Sequence, residues 1–246
     1  MRRLLALTWK EFMQLKRDRL TLRMIIFIPL MQTLVFGFAI NYDVKHLRTA
    51  TFIIPGLMAI ILTFTLIQFT SGAIVREREL GTLEQLQVTP VTRTQLILGK
   101  LLPFILIGYV QLTLTILLMR FLFGIPIMGS VTLLYAVGFL FIASVLGLGM
   151  LLSTIAQTQQ QSQQLSLMFL LPFVFLSGYV FPIDGMPPVF QAVSRIIPAR
   201  YFIEVVRGIV LRGAGARELW EPIAWLAFYT VAIIALAVFR FRKTAA

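Results

Sequence analysis

Cysteine is absent from the 246 residues, and histidine occurs once, as His46. The first absence excludes disulfides and thiolate metal sites without fixing a redox compartment. Together they remove the cysteine–histidine pairings of nucleophilic catalysis. Carboxylates are also nearly missing from the apolar runs, so neither an intramembrane protease nor a metal site is legible. A phosphate-binding loop is missing too: Gly99-Lys100 is followed by Leu101, and Thr94 stands where that motif needs its first glycine. The chain is therefore not expected to hydrolyse ATP or to hold a cofactor. Charge itself is scarce, at 13% of residues against about 25% in soluble domains.

What fills the chain instead is apolar: 59% of residues are hydrophobic and the mean hydropathy is +0.89. Runs of about 20 such residues, the length that crosses a hydrocarbon core as a helix, recur from end to end and leave no room for a large soluble domain. This predicts an all-α membrane protein with one polytopic domain over residues 1–246. The net charge of +12 would point to nucleic acid in a soluble protein. Here the cations cluster at run ends: Arg2, Arg3, Lys10, Lys16, Arg17, Arg19 and Arg23 precede the first run, and Arg240, Arg242 and Lys243 follow the last. The basicity is topological, so membrane lipid and not nucleic acid is the expected surroundings.

Six spans are expected: Leu22–Ile40, Phe52–Val75, Leu96–Met119, Val131–Leu152, Leu165–Val180 and Ile223–Phe239. The first is too long for a signal-peptide core and lacks a small-residue cleavage pattern, so it should remain as an anchor. An even count puts both termini on one side, and the basic termini together with the Arg76–Lys100 region make that side cytoplasmic. Arg195, Arg200, Arg207, Arg212 and Arg217 oppose this when counted alone, but they sit in a segment with structure of its own. Before the first span, Leu5, Trp9, Phe12 and Leu15 recur at helical spacing opposite Arg3, Lys10, Glu11 and Arg17. That pattern predicts an interfacial helix on the membrane surface, the alternative being a helix packed on a partner.

The segment Phe181–Glu221 is too apolar for an aqueous loop and too broken by proline for one span. Phe181-Pro182-Ile183-Asp184-Gly185-Met186-Pro187-Pro188 sets a turn, Val189–Ile197 can form a short helix, and Pro198 breaks it before helical spacing resumes from Tyr201 to Leu211. A re-entrant hairpin between spans 5 and 6 is expected, with a surface hairpin as its rival. Prolines 29, 55, 103 and 172 lie near or inside spans and can kink them, and Ala143 and Gly147, flanked by Ser144 and Gly149, form a small-xxx-small pair that lets another helix approach.

The polar residues at mid-span are neutral. Thr63, Thr65, Gln68 and Thr70 in the second span, and Gln111, Thr113 and Thr115 in the third, either line a substrate path or hydrogen-bond between helices. An ion-coupled carrier would carry ionisable groups there. A transporter without them, and without a nucleotide site, must draw its energy from another polypeptide. That need points to the charged island Arg76-Glu77-Arg78-Glu79-Leu80-Gly81-Thr82-Leu83-Glu84-Gln85-Leu86, closed by Thr89-Pro90. Beginning at Gly81, a short amphipathic turn with apolar and polar faces suits a groove in a moving partner, and Glu77, Glu79 and Glu84 are placed to meet arginines there. The bland reading is a solvated hairpin with weak local salt bridges.

At these residues the chain resembles the ABC-2 type permease family, in its multidrug-efflux exporter branch. The resemblance rests on Ile74-Val75-Arg76-Glu77-Arg78-Glu79, Gly81-Thr82-Leu83-Glu84-Gln85-Leu86, Val88-Thr89-Pro90 and Gly99-Lys100. It continues through Ser177-Gly178-Tyr179-Val180-Phe181-Pro182-Ile183, Met186-Pro187-Pro188, Pro198-Ala199-Arg200-Tyr201-Phe202 and Arg207-Gly208, extending over nearly all of the chain. It implies a six-span half-transporter paired with a second permease, identical or homologous, and with two cytoplasmic ATPase subunits that carry ATP and Mg. The coupling helix would be Gly81–Pro90, and the outward re-entrant element would lie within Phe181–Arg212. The Gln157–Gln164 run would be a second cytoplasmic connection.

One departure stands out. Many members of that branch carry a sizeable extracytoplasmic domain between the first two spans, where this chain has only Asn41–Ala50. A domain is expected to be shortened, deleted or omitted at about residues 41–51. The function implied is the permease subunit of an ATP-driven exporter in a bacterial cytoplasmic (inner) membrane. It would move a hydrophobic or amphipathic substrate, such as a drug-like molecule or lipid, out of the cytoplasm. A membrane scaffold that recruits a cytoplasmic protein, and an ion-coupled carrier, are the alternatives.

Overall fold

The structure is a computed structural model that describes residues 47–81 and 93–244 continuously, with scattered positions between 8 and 35. About half of the first expected span, the 41–46 stretch, and Thr82, Leu83, Glu84, Gln85, Leu86 and Pro90 lie outside the described residues. Within the amphipathic start, 8–10, 12–13 and 16–17 are helical, and the Trp9 and Phe12 rings stack at 6.2 Å, as a spacing of three residues on a helix allows.

The continuous part is helical: α1 (Leu47–Glu79), α2 (Arg93–Phe121), α3 (Val131–Ile155), α4 (Gln159–Leu176), α5 (Pro188–Ser194), α6 (Pro198–Arg212) and α7 (Trp220–Thr244), with a 3-10 turn at Ile183–Gly185. Among the described residues four helices are long and apolar enough to cross a membrane: Ile53–Glu79, Gly99–Phe121, Val131–Ile155 and Trp220–Arg240. These coincide closely with four of the expected spans, because an unbroken apolar run has no other way to satisfy its backbone in lipid.

The expected fifth span is different. Its helix begins at Gln159, six residues before the apolar run, because Thr158 caps it: Thr158 Oγ1 accepts from Gln161 N at 3.2 Å, and Gln161 Oε1 accepts from Gln157 N at 2.9 Å. The polar run Gln157–Gln164 is therefore largely the first turns of α4, and only 156–158 join it to α3. At its other end α4 stops at Leu176, and Gly178 turns the chain with a φ of 80°.

α3 lies at the centre, against α1, α2, α6 and α7. It begins at Ser130, whose hydroxyl accepts from Leu133 N at 3.3 Å. Small residues let its neighbours close in. A Cβ on Gly147 would lie 2.9 Å from Ile233 Cγ2 of α7, and one on Gly149 would lie 3.0 Å from Thr70 Cβ and 3.2 Å from Ile67 O of α1. The small-residue stripe thus serves two helices on opposite sides of α3. Thr230 of α7 donates to Leu140 O of α3 at 3.0 Å, so α7 runs parallel to α3, and both end where α1 ends.

The bundle therefore has a polar end, with Arg76, Glu77, Arg78, Glu79, Lys100, Gln159 and Arg240, and a far end where α3 and α7 begin. α6 occupies the far half. Its apolar side (Phe202, Val205, Val206, Ile209, Val210) is buried, and its other side carries Arg200, Glu204 and Arg212. Phe202 stacks on Phe141 with ring centroids 4.1 Å apart. At the other end of α6, Val210 O accepts from Met128 N at 3.2 Å. Because Phe141 lies ten residues into α3, α6 starts about 15 Å inside the bundle and climbs to its far end.

Gly149→Leu should lower the thermal midpoint of the purified protein or prevent its accumulation, since the neighbour in its way includes backbone; overpacking of this kind costs about 1–3 kcal/mol. Gly72→Ala, where a Cβ meets nothing within 4 Å, should be neutral or mildly stabilising. Equal melting of the two variants would contradict the packing described.

Candidate functional site

Two places concentrate features beyond packing. At the polar end, α1 closes with Gly81 in the left-handed conformation at φ 66°, and Leu80 N donates to Arg76 O while Gly81 N donates to Arg78 O. Gly81 thus terminates α1 and aims the chain into the segment that follows. Three of the charged residues ahead of it, Glu77, Arg78 and Glu79, are engaged within the chain. Glu77 pairs with Lys100 of α2, both largely buried. Arg78 Nη1 donates to Ala156 O at 3.1 Å. Glu79 accepts from Gln159 N at 3.0 Å and Gln159 Nε2 at 2.7 Å, placing a carboxylate on the N-terminus of α4, where the helix dipole favours it.

Sequence reading set Glu77 and Glu79 against a partner's arginines, and the structure gives them intramolecular partners. The reason is tertiary: Lys100 and Gln159 lie 23 and 80 residues away along the chain. The flank of the expected docking segment is thereby tied to α2, to the α3–α4 connection and to α4.

The second place is a cavity of about 460 Å³ between α1 and α4, walled by Leu57, Ile61 and Phe64 on one side and by Leu170, Val174 and Phe175 on the other. Gln32 also borders it, in the helical stretch 29–35, and its Oε1 is buried without a hydrogen-bond partner. A predominantly apolar cleft with one uncommitted amide suits an apolar or amphipathic guest.

None of the residues expected on a substrate path borders this cavity. Thr65 is buried in α1, Gln68 is half-buried, and in α2 the buried Thr115 donates to Gln111 O at 2.9 Å. Thr63 bonds back to Ala59 O at 2.7 Å and Ser162 bonds to Ser71 of α1 at 2.7 Å, whereas the Thr65 and Thr70 hydroxyls are buried without a hydrogen-bond partner. The cavity wall was present in the sequence as an apolar face at positions 53, 57, 60, 61 and 64, a spacing that reads equally well as core.

The expected re-entrant residues fall at helix starts and turns. Pro187 precedes α5 with Pro188 in its first turn, Pro198 opens α6, and Phe181 and Pro182 lie exposed before the 3-10 turn. Tyr201 is buried and donates to Arg195 O at 2.9 Å. Sequence reading named Arg207 without a structural role; its guanidinium donates to Gly178 O at 2.9 Å and Tyr179 O at 3.2 Å. A Cβ on Gly56 would stand 2.9 Å from the Tyr179 ring and 3.1 Å from Arg207 Nη2, so only glycine fits there.

With the bundle, its charged latch and its apolar cavity in view, comparison with known proteins decides the family: residues 2–211 match the ABC-2 type transporter domain. The chain belongs to the ABC-2 type transporter family. It is 43% identical over 163 residues to a probable multidrug ABC transporter permease of Escherichia coli K12, YbhS, covering 66% of this chain and 43% of that protein. A second probable multidrug permease of that strain, YbhR, is 34% identical over 203 residues, 82% of this chain and 55% of its own length. The inner membrane transport permease YhhJ, also of that strain, is 34% identical over 192 residues, 77% of this chain and 51% of its own. The chain spans about half the length of these curated relatives.

The Glu77–Lys100 pair of this ABC-2 chain should behave as a coupled unit. Lys100→Met alone leaves a largely buried carboxylate and should destabilise strongly, whereas Glu77→Gln combined with Lys100→Met should recover about 1–3 kcal/mol. A double-mutant cycle of thermal or denaturant unfolding reads this, and additive losses would show the pair to be incidental.

Proposed function

We propose that the chain is the permease subunit of an ATP-driven exporter that moves apolar or amphipathic molecules out of the cytoplasm of a bacterial cell across its inner membrane. One observation carries the reading. A single helix, α1, holds the charged latch at one end and walls the apolar cavity at the other, so a push on the segment after Gly81 reaches the cavity without passing through a loop.

On this reading the polar end is cytoplasmic, both termini lie there, and 82–90 forms a coupling element seated on a separate ATPase dimer that binds ATP and Mg. Thr82, Leu83, Glu84, Gln85, Leu86 and Pro90 make that contact; Glu77 and Glu79 lock it to the bundle. Closure of the ATPase pair displaces the coupling element, α1 transmits the movement, and the wall shared by α1 and α4 shifts against a second permease, identical or homologous. The chemistry of ATP belongs to the partner. Multidrug permease names among the relatives and the apolar cavity support a drug-like or lipid-like substrate class.

Six spans are proposed, the first at Leu22–Ile40 and the fifth at Leu165–Val180 completed by the chain beyond α4. The segment Phe181–Arg212 is proposed as a re-entrant element entering from the outer side. Support for it comes from the placement of α6, which begins beside Phe141 and ends beside Met128, and from the buried donors on Gly178 O and Tyr179 O. The short stretch 41–51 is proposed to mark where an extracytoplasmic domain is reduced or left out.

Glu84→Arg should reduce ATPase co-purification and substrate-stimulated ATP hydrolysis at least about tenfold, the scale of one lost charge-assisted contact, with membrane insertion intact. Leu57→Trp, which fills the cavity, should abolish stimulation by apolar compounds while the ATPase still co-purifies. Recovery of intact wild-type permease with no ATPase, from membranes in which other complexes survive, would instead favour the scaffold.

A further inference from the structure

A second cavity, of about 490 Å³, opens between α6 and the start of α7 and is unlike the first in chemistry. Arg195, Arg200, Glu204 and Glu221 border it, and Tyr201, Trp225 and Tyr229 form an aromatic panel along one side. The panel is continuous: Tyr201 lies 6.3 Å from Trp225 and 5.6 Å from Tyr229, centroid to centroid. Arg200 is held in place, with Nη1 donating to the buried Ser194 Oγ at 2.8 Å and its Cζ 5.8 Å from the Tyr201 ring. Among the described residues these two arginines and two glutamates form no ion pair with one another.

The charges are ordered along the bundle axis. Glu221 is in the first turn of α7 at the far end, and Tyr229 lies about 12 Å deeper. Arg200 adjoins Tyr201, at the level of Trp225 and Tyr229, and Glu204 is one turn of α6 nearer the far end. Arg200 therefore sits deeper than the two carboxylates. Along α7, Phe228, Val231 and Leu236 form an apolar stripe, each more than half exposed.

We infer that this cavity binds a zwitterionic headgroup in which a phosphate and an ammonium are joined, the phosphate on Arg195 and Arg200 and the ammonium between Glu204, Glu221 and the aromatic panel. Arginine forks match phosphate oxygens, and ammonium groups are attracted both to carboxylates and to aromatic faces. In an outer leaflet the phosphate of an aminophospholipid lies deeper than its amine, which is the order of charges found here, and the α7 stripe continues where acyl chains would run. The orientation rests on the proposed outward position of the far end, whereas the headgroup chemistry does not.

The test uses the full chain, purified and delipidated in detergent, with retained lipid read by native mass spectrometry after adding phosphatidylethanolamine or phosphatidylglycerol. The wild type should retain the ethanolamine lipid about tenfold more than the glycerol lipid. Arg195→Gln with Arg200→Gln should reduce retention of the ethanolamine lipid about tenfold. Glu204→Gln with Glu221→Gln should erase the preference while leaving the arginine-dependent retention. Competition by millimolar soluble phosphoethanolamine, without lipid preference, would assign the site to a free zwitterion and overturn a lipid role. Equal retention of both lipids by wild type and variants would overturn the site altogether. Because the chain has no cysteine, Gly215→Cys labelling by a membrane-impermeant maleimide on intact cells reports the side separately. Failure to label from outside would overturn the orientation and leave the headgroup result standing.

Discussion

A chain that turns out of a helix inside a membrane protein must find donors for its freed backbone carbonyls, because hydrocarbon offers none. α4 stops at Leu176, Gly178 turns the chain, and Arg207 of α6 supplies donors to Gly178 O and Tyr179 O. Much of the far half depends on that contact. It ties α6 to the end of α4, it requires glycine at position 56 so that α1 can pass close by, and it leaves the apolar side of α6 to pack on α3 through Phe202 and Phe141. A charged side chain is costly at such a site unless its donors are used. Here they are used to satisfy the carbonyls of the turn that follows α4.

The polar end solves a different problem. Glu77, Arg78 and Glu79 occupy three successive positions on α1 and bind three separate parts of the bundle: α2, the carbonyl of Ala156 and the start of α4. Such contacts contribute little each when exposed, but Glu77 and Lys100 are largely buried, and together the three fix where the chain leaves α1 at Gly81. The proposed coupling needs that exit to be rigid, and the apolar cavity lies farther along the same helix.

Hydropathy alone located four helices to within a few residues, because lipid leaves a long apolar run no alternative. It misplaced the start of α4 because capping by Thr158 and Gln161 extends the helix through glutamines that no apolar scale recognises. The close approach at Gly147 was legible as a small-residue pair, but the division of labour with Gly149 was not, since it depends on which helix lies on which side. The partners of Glu77 and Glu79 were illegible for the same reason, and so was the α1–α4 cavity, which is a space between elements and has no residue type of its own. Arg207 was visible as one of the arginines that seemed to oppose the topology and as part of the Arg207-Gly208 pair, but its carbonyl partners were not. Its burial and its two carbonyl partners explain its presence without reference to charge bias.

The measurement that bears most directly on this account is the thermal midpoint of the purified protein with Arg207→Lys and Arg207→Met. Lysine keeps the charge but cannot reproduce the planar fork that reaches two carbonyls, and methionine removes both charge and donors. The account predicts that both lower the midpoint, methionine by more than about 5 °C, and that α6 becomes accessible to proteolysis. Unchanged melting in Arg207→Met, with α6 still protected, would contradict it.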